Sequence, residues 1–351
     1  MKTQKKIKRV LLITVAIILT AVLTTGIIGY ILFSDMLSAA GSVRELEDGL
    51  WYMEYEGDYG FEDFLEKGGA SSERDMALYL ISFMSGGFWE GDPEERSLDF
   101  GCSALTTETD EGTIMGRNFD WEGNDSSVMI IHTKPENGYE SYSTTWLDFL
   151  GFGDGFKPES FAEKYMAMAA VYVPLDGINE KGLCVADLLA GDSDTTNQQT
   201  EKVDLTTTSA IRLLLDKASD VDEAVELLKN YDMHSSIGTS HHLAISDARG
   251  KSVVVEYIDD VMVVTETKAV TNHYLSEGEK YGTGNEESHN RFDKLLTLEP
   301  NIKSCEGMKD CMKDASYEGE TQWSIVYNLD TKTLDFYFHR DYENSHHFTL
   351  N

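Results

Sequence analysis

Four cysteines in 351 residues are too few to describe a disulfide-stapled scaffold. Positive charge is scarce as well: 29 Lys and Arg stand against 62 Asp and Glu, a formal net charge of −33. Five of those basic residues (Lys2, Lys5, Lys6, Lys8, Arg9) crowd the first nine positions, so residues 34–351 carry 24 basic against 62 acidic residues, a net of −38. Such a surface repels nucleic acid and anionic membranes, and solubility is its plainest consequence. There is no phosphate-cradling glycine loop, no basic aromatic strip for nucleic acid and no internal repeat. His234, His241 and His242 fit no usual zinc spacing. Neither a metal nor a cofactor is therefore expected.

What is present begins with an uncharged run, Val10 to Phe33, directly after the basic cluster. As a helix rising about 1.5 Å per residue, it would span a hydrocarbon core of roughly 30 Å. The basic flank then places residue 1 in the cytoplasm and the rest outside. A cleaved signal peptide competes with this anchor, because Ser38-Ala39-Ala40 loosely fits a small-residue cleavage site. Residues 34–101 form a separate block, read as a helical prosegment. It holds an acid- and aromatic-rich stretch, Glu45 to Leu65, and a helix over Ser72 to Met84 with apolar Met76, Leu78, Leu80 and Ile81. A glycine- and acid-rich stretch, Gly86 to Arg96, ends it.

Residues 102–351 alternate hairpins with helices. Strands are predicted at Val171–Pro174 and Leu183–Leu189, at His242–Ser246 and Lys251–Tyr257, and at Trp323–Asn328 and Thr333–His339, each pair flanking a turn. Helices are predicted at Glu159–Ala170, Thr207–Lys217, Asp220–Asn230 with Ser219 as N-cap, and His289–Leu298. Asp192–Thr200 has the composition of a polar surface loop. Together they predict an α+β layered fold. Cys184 lies in an apolar strand as a buried thiol. Cys305 and Cys311 flank Glu306–Asp310, either as a disulfide or as two free thiols.

The nucleophile candidate is Cys102. Phe100–Thr107 has strand character, Asp110-Glu111-Gly112 turn chemistry, and Thr113–Phe119 the returning strand. Antiparallel pairing across that turn sets Cys102 opposite residues 118–120, with Arg117 and Asp120 close by. A neighbouring guanidinium favours a thiolate, and a carboxylate can hold an ammonium or orient a base.

These residues carry a resemblance. Cys102-Ser103, then Asp110-Glu111-Gly112, then Gly116-Arg117-Asn118-Phe119-Asp120-Trp121 resembles the start of the mature chain in the choloylglycine hydrolase and acid ceramidase-like group, with which the penicillin acyltransferases belong. Gly177-Ile178-Asn179-Glu180-Lys181-Gly182-Leu183, Val270-Thr271-Asn272-His273, Asn290-Arg291-Phe292 and Thr321 to Tyr327 resemble later segments of that group in the expected order. The resemblance spans about residues 100–340 and implies a four-layer αββα N-terminal-nucleophile hydrolase sandwich acting on linear amide C–N bonds. It implies that Cys102 becomes the first residue after self-cleavage at Gly101-Cys102, leaving 102–351 as the catalytic domain. The freed α-amino group would be the base, suited by an ordinary pKa of about 7.7–8. By the same carry-over Arg117 supports the thiolate, Asp120 holds the new ammonium, and Asn272 supplies an oxyanion amide. Asn179 either positions the substrate or simply makes its turn, and Arg291 either completes the charge network or forms a surface ion pair. Bile salt hydrolases begin at the cysteine after the initiator Met. Here 101 residues precede it, which points to the ceramidase and acyltransferase style of maturation. The expected partner is a small N-acyl amide with an apolar acyl group. Hydrolysis, acyl transfer to an amine, and a catalytically silent, membrane-anchored binding domain all stay open at this level.

Overall fold

The computed structural model describes residues 33–86, 100–121, 127–153 and 155–350. The expected anchor, Val10 to Phe33, lies outside them except for Phe33, and so does the stretch 87–99 before Cys102. Among the described residues no helix is long and apolar enough to cross a membrane.

In chain order the elements are α1 (residues 33–42), β1 (Arg44–Glu47), β2 (Leu50–Glu56), α2 (Phe61–Glu66), α3 (Glu73–Met84), β3 (Phe100–Thr109), β4 (Gly112–Trp121), β5 (Val128–Lys134) and β6 (Ser141–Trp146). There follow α4 (Phe161–Ala167), β7 (Asp176–Asn179), β8 (Cys184–Leu189), β9 (Val203–Thr206), α5 (Thr207–Lys217), α6 (Val221–Leu228), β10 (Tyr231–His234), β11 (His241–Ser246), β12 (Ser252–Ile258) and β13 (Val261–Glu266). The chain closes with β14 (Ala269–Val270), α7 (Glu286–Leu298), α8 (Cys305–Ala315), β15 (Thr321–Asn328), β16 (Thr333–Phe338) and β17 (His346–Thr349).

Two large sheets result among the described residues. One has the order β1-β2-β5-β6-β7-β8-β11-β12-β13, the other β14-β3-β4-β15-β16-β17, and β9 pairs in parallel with β10. Both faces of each large sheet are covered, so strands carry apolar side chains on both sides. On β2, Trp51, Met53 and Tyr55 pack toward the helices α2–α6, while Leu50 and Tyr52 pack toward the second sheet, as a two-residue period requires. Between the sheets lie Ile130 and Ala186 from one side and Cys102, Phe119 and Trp323 from the other. Phe119 and Trp323 stack with ring centroids 4.1 Å apart, worth about 1 kcal/mol beyond the buried area. A third core joins Leu105, Ile114 and Val326 to Leu295, Met308 and Met312 of α7 and α8. The layers run helices, sheet, sheet, helices.

Several expectations need correction. The segment before Cys102 is not only helical: β1 and β2 extend the nine-stranded sheet, with β2 parallel to β5. That pairing joins residues nearly eighty apart, so no local pattern announces it. Val171–Pro174 is not a strand. The Ala-rich stretch Met168–Tyr172 continues α4 as a 3-10 turn, and pairing starts beyond Pro174, whose ring nitrogen has no hydrogen to donate. The cap of α6 is Asp220 rather than Ser219; its side chain accepts from Glu223 N, while Glu223 accepts from Ser219 N. Cys305 and Cys311 are free thiols on α8. Six helical steps set them about 9 Å apart in rise, beyond disulfide reach.

Candidate active site

Cys102 sits on β3 opposite Phe119, and the hairpin turn is tighter than expected, with strands running to Thr109 and from Gly112. The pleat then sorts the neighbours. Arg117 and Phe119 share the face of Cys102, between the sheets, whereas Asn118 and Asp120 point to the α7–α8 side. Asp120 is thus brought to the main chain of Cys102, not to its sulfur.

The guanidinium of Arg117 is fully buried beside Cys102 and favours its thiolate. Its Nε lies 3.3 Å from Asp176 Oδ2, its Nη2 donates to Asp187 O at 2.8 Å, and its Nη1 donates to Asn118 O. Asp176 is buried too, and accepts from Trp323 Nε1 at 3.1 Å, Tyr327 OH at 2.9 Å and Thr144 Oγ1. Burial raises the Asp176 pKa and Arg117 pulls it back. Burial likewise raises that of the Cys102 thiol, with Arg117 opposing. Burial thus favours the neutral thiol.

A second cluster surrounds the Cys102 peptide. Strand β14 pairs with β3 only at Ala104 and Leu105, which leaves the Cys102 N–H without a ladder partner on that side. The chain beyond β14 supplies one: Asn272 Oδ1 accepts from Cys102 N at 2.7 Å, and Asn272 Nδ2 donates to Leu189 O at 2.9 Å. Arg291, in the second turn of α7, donates to Cys102 O at 2.7 Å and to Asn272 Oδ1 at 2.8 Å, and lies 3.4 Å from Asp120 Oδ2. Thr321 Oγ1 donates to Asp120 Oδ1 at 2.5 Å. Burial pushes the Asp120 carboxyl up to about 6, against the pull of Arg291 and Thr321. Five of the six expected residues, Cys102, Arg117, Asp120, Asn272 and Arg291, are thus gathered about one peptide and its thiol.

Asn179 is not among them. Its Nδ2 donates to Leu215 O at 3.0 Å and Ala218 O at 2.8 Å, and its Oδ1 accepts from Lys181 N and Leu183 N at 3.1 Å each. Every hydrogen-bonding position of the amide serves a backbone group, so it locks the β7–β8 turn to the end of α5. It has nothing left to offer a substrate.

Sequence reasoning missed Asp176 and Asp187, and their signal was an acid within an apolar strand (Cys-Val-Ala-Asp-Leu-Leu for Asp187). It also did not foresee what the histidines do. His241 pairs with Asp187, Nδ1 to Oδ1 at 2.9 Å, and donates from Nε2 to Ser236 O at 2.8 Å. His242 pairs with Glu256 at 3.0 Å and His234 with Asp204 at 2.9 Å. No cluster among the described residues has the groups to hold a metal ion.

Residues 102–274 match the sequence model of the linear amide C–N hydrolases, choloylglycine hydrolase family. A penicillin V acylase of Pectobacterium atrosepticum is 27% identical over 169 residues, 44% of this chain and 43% of that protein. The matched stretch thus spans less than half of that relative's length. Among solved structures, a penicillin V acylase from Agrobacterium tumefaciens is similar with a TM-score of 0.51 at 17% identity, over 71% of this chain and 86% of that one. A conjugated bile acid hydrolase from Clostridium perfringens, solved as a mutant, is similar with a TM-score of 0.52 at 18% identity, over 71% and 92%. At such identities the likeness is one of fold. The matched stretch opens at Cys102 itself, and over it, just under half of the chain, the sequence is similar to the choloylglycine hydrolase family of linear amide C–N hydrolases.

Proposed function

We propose that the chain hydrolyses a linear amide C–N bond of an N-acyl substrate through Cys102, after a cut between Gly101 and Cys102. The observation that carries this reading is the cradle around the Cys102 peptide. Its nitrogen is held by the side chain of Asn272 at 2.7 Å and its carbonyl by Arg291 at 2.7 Å, with the Asp120 carboxylate alongside. A nitrogen in that position, once freed, is an α-amine already oriented by an acceptor and next to a counter-ion. The family match that begins at Cys102 supports the same start point.

In this mechanism the amine takes the thiol proton and the sulfur attacks the amide carbonyl. The C–N bond breaks, the leaving amine collects the proton, and a thioester remains for water to open. Arg117 steadies the charge on the sulfur. Gly101 offers no side chain to hinder attack on its own carbonyl during the maturing cut. We also propose that the basic and apolar start of the chain tethers it to the membrane with residues 102–351 outside; protease accessibility of the catalytic part on intact cells tests this topology.

Intact-mass analysis with an N-acyl amide panel tests the main proposal. Active protein should contain a species starting at Cys102, and Cys102→Ala should be uncut and without turnover. Activity from protein that contains only full-length chain would sink the N-terminal mechanism.

A further inference from the structure

Strands β8 and β11 carry a buried acid–imidazole pair, Asp187 and His241, that the mechanism above does not use. Asp187 lies opposite Leu243, and both side chains of the pair share the helix-facing side of the sheet with Val185 and Leu243. His241 Nδ1 meets both Asp187 oxygens, at 2.9 and 3.0 Å, and its Nε2 meets Ser236 O at 2.8 Å.

The backbone of Asp187 faces the chemistry instead. Its N–H donates to Leu175 O at 2.8 Å, beyond the last β7–β8 partners, Asp176 and Ala186, so its carbonyl lies past the end of that ladder. Arg117 fills the place from the second sheet, donating from Nη2 to Asp187 O at 2.8 Å. One residue thus holds the guanidinium beside Cys102 through its carbonyl and His241 through its carboxylate.

The charge of the pair follows from its partners. A carbonyl and a carboxylate only accept, so the two ring nitrogens between them need two protons, or one on the ring and one on Asp187. Either way the pair carries no net charge. Burial works against a His241 cation, but Asp187 and the Ser236 carbonyl outweigh it and raise the pKa, with Glu73 of α3 adding to them. His242, next in the chain, turns to the opposite side of β11 and pairs with Glu256. An uncompensated Asp187 would act on the nucleophile. After burial, Arg117 pulls the Cys102 thiol back, while Asp120 and then Asp187 push it up.

We propose that His241 is a positioning residue for the hydrolysis: it fixes Asp187, whose carbonyl holds Arg117, and cancels the negative charge that Asp187 would otherwise turn on the Cys102 thiolate. The assignment rests on Cys102 being the nucleophile. It places a third histidine-free charge pair, Arg117 with Cys102, under the control of a histidine on the far side of the sheet.

The test reads charge rather than packing. His241→Asn keeps a donor near the place of Nδ1 but cannot carry a charge, so Asp187 is left as a bare anion. In the full-length preparation the acid limb of kcat/KM, which belongs to the Cys102 thiol and α-amine together, should move up by about one pH unit. Asp187→Asn combined with His241→Asn removes both charges and should bring the limb more than half of the way back, even where the plateau rate stays lowered. His241→Gln makes the same charge change on a longer amide and serves if His241→Asn does not fold. Alkylation of Cys102 by iodoacetamide, followed by peptide mass against pH, reads the same shift without turnover. A limb and alkylation profile that stay put in the folded single variant, or a double variant displaced as far as the single one, overturns the proposal. Turnover by Cys102→Ala would sink the nucleophile and this assignment with it. An alkylation shift in protein that turns over no N-acyl amide would sink the hydrolysis alone and leave the coupling of His241 to Cys102 standing.

Discussion

At the scale of single residues, burial decides most of the chemistry. Cys102, Arg117 and Asp176 form a fully buried thiol–guanidinium–carboxylate chain in which burial disfavours the charged thiol and acid, and Arg117 opposes it for each. Cutting the Gly101–Cys102 bond would add an ammonium beside Asp120, whose carboxyl burial now holds up at about 6, and that cation would favour its ionised form. Asn179 shows the opposite case, a buried polar residue spent wholly on structure. Asn179→Ala strands two carbonyls and two N–H groups, so unfolding free energy should fall by roughly 2–3 kcal/mol. Denaturant melts and kinetics on the folded variant check this: stability should drop while kcat/KM stays within about two-fold. A hundred-fold loss of turnover in fully folded Asn179→Ala protein would give the residue a substrate role after all.

At the scale of elements, the site depends on one short segment, residues 271–276, being held where β14 stops. Glu256 on β12 holds it. Its carboxylate accepts from Leu275 N at 2.9 Å, Ser276 N at 2.7 Å and His242 Nδ1 at 3.0 Å. Burial opposes ionisation of Glu256, but these donors win and hold its pKa down at about 2, against an ordinary 4.5. The folded state therefore binds fewer protons than the unfolded chain between those two values. The stabilisation is complete above pH 4.5 and is lost as pH falls through 2. It is on the order of 3 kcal/mol. Glu256→Gln should cost about that much at pH 7 and much less near pH 2, which paired melting curves at the two pH values would show. A pH-independent difference would mean that packing, not charge, sets the cost. Because Asn272 rides on the same segment, turnover of the folded variant should fall as well.

At the scale of the whole molecule, the segment before Cys102 is built into the body. Strand β2 pairs with β5 along seven residues, Leu50 to Glu56, and Met76 and Leu80 of α3 are buried in the main core. A cut at Gly101–Cys102 would break one covalent bond and none of these contacts. The two fragments should therefore co-elute as one species on size exclusion and separate only in denaturant. Spontaneous release of the smaller fragment under native conditions would show that the parallel β2–β5 pairing is dispensable.

The sequence by itself determined the local features. The hairpin register that sets Cys102 opposite Phe119 followed from strand propensity and turn chemistry, and α5 over Thr207–Lys217 followed from its apolar period. That five of the six expected residues would meet about Cys102 was legible because the motif segments keep their order along the chain. Tertiary structure alone decided the rest, for a common physical reason: each missing piece is a contact between distant residues. The parallel β2–β5 pairing and the Asp176–Arg117 and Asp187–His241 pairs join segments that no local pattern relates. Asn179 sits in a motif that predicts a site residue, yet the carbonyls at the end of α5 claimed its amide. Sequence order put it near the chemistry; three-dimensional packing assigned it to the scaffold.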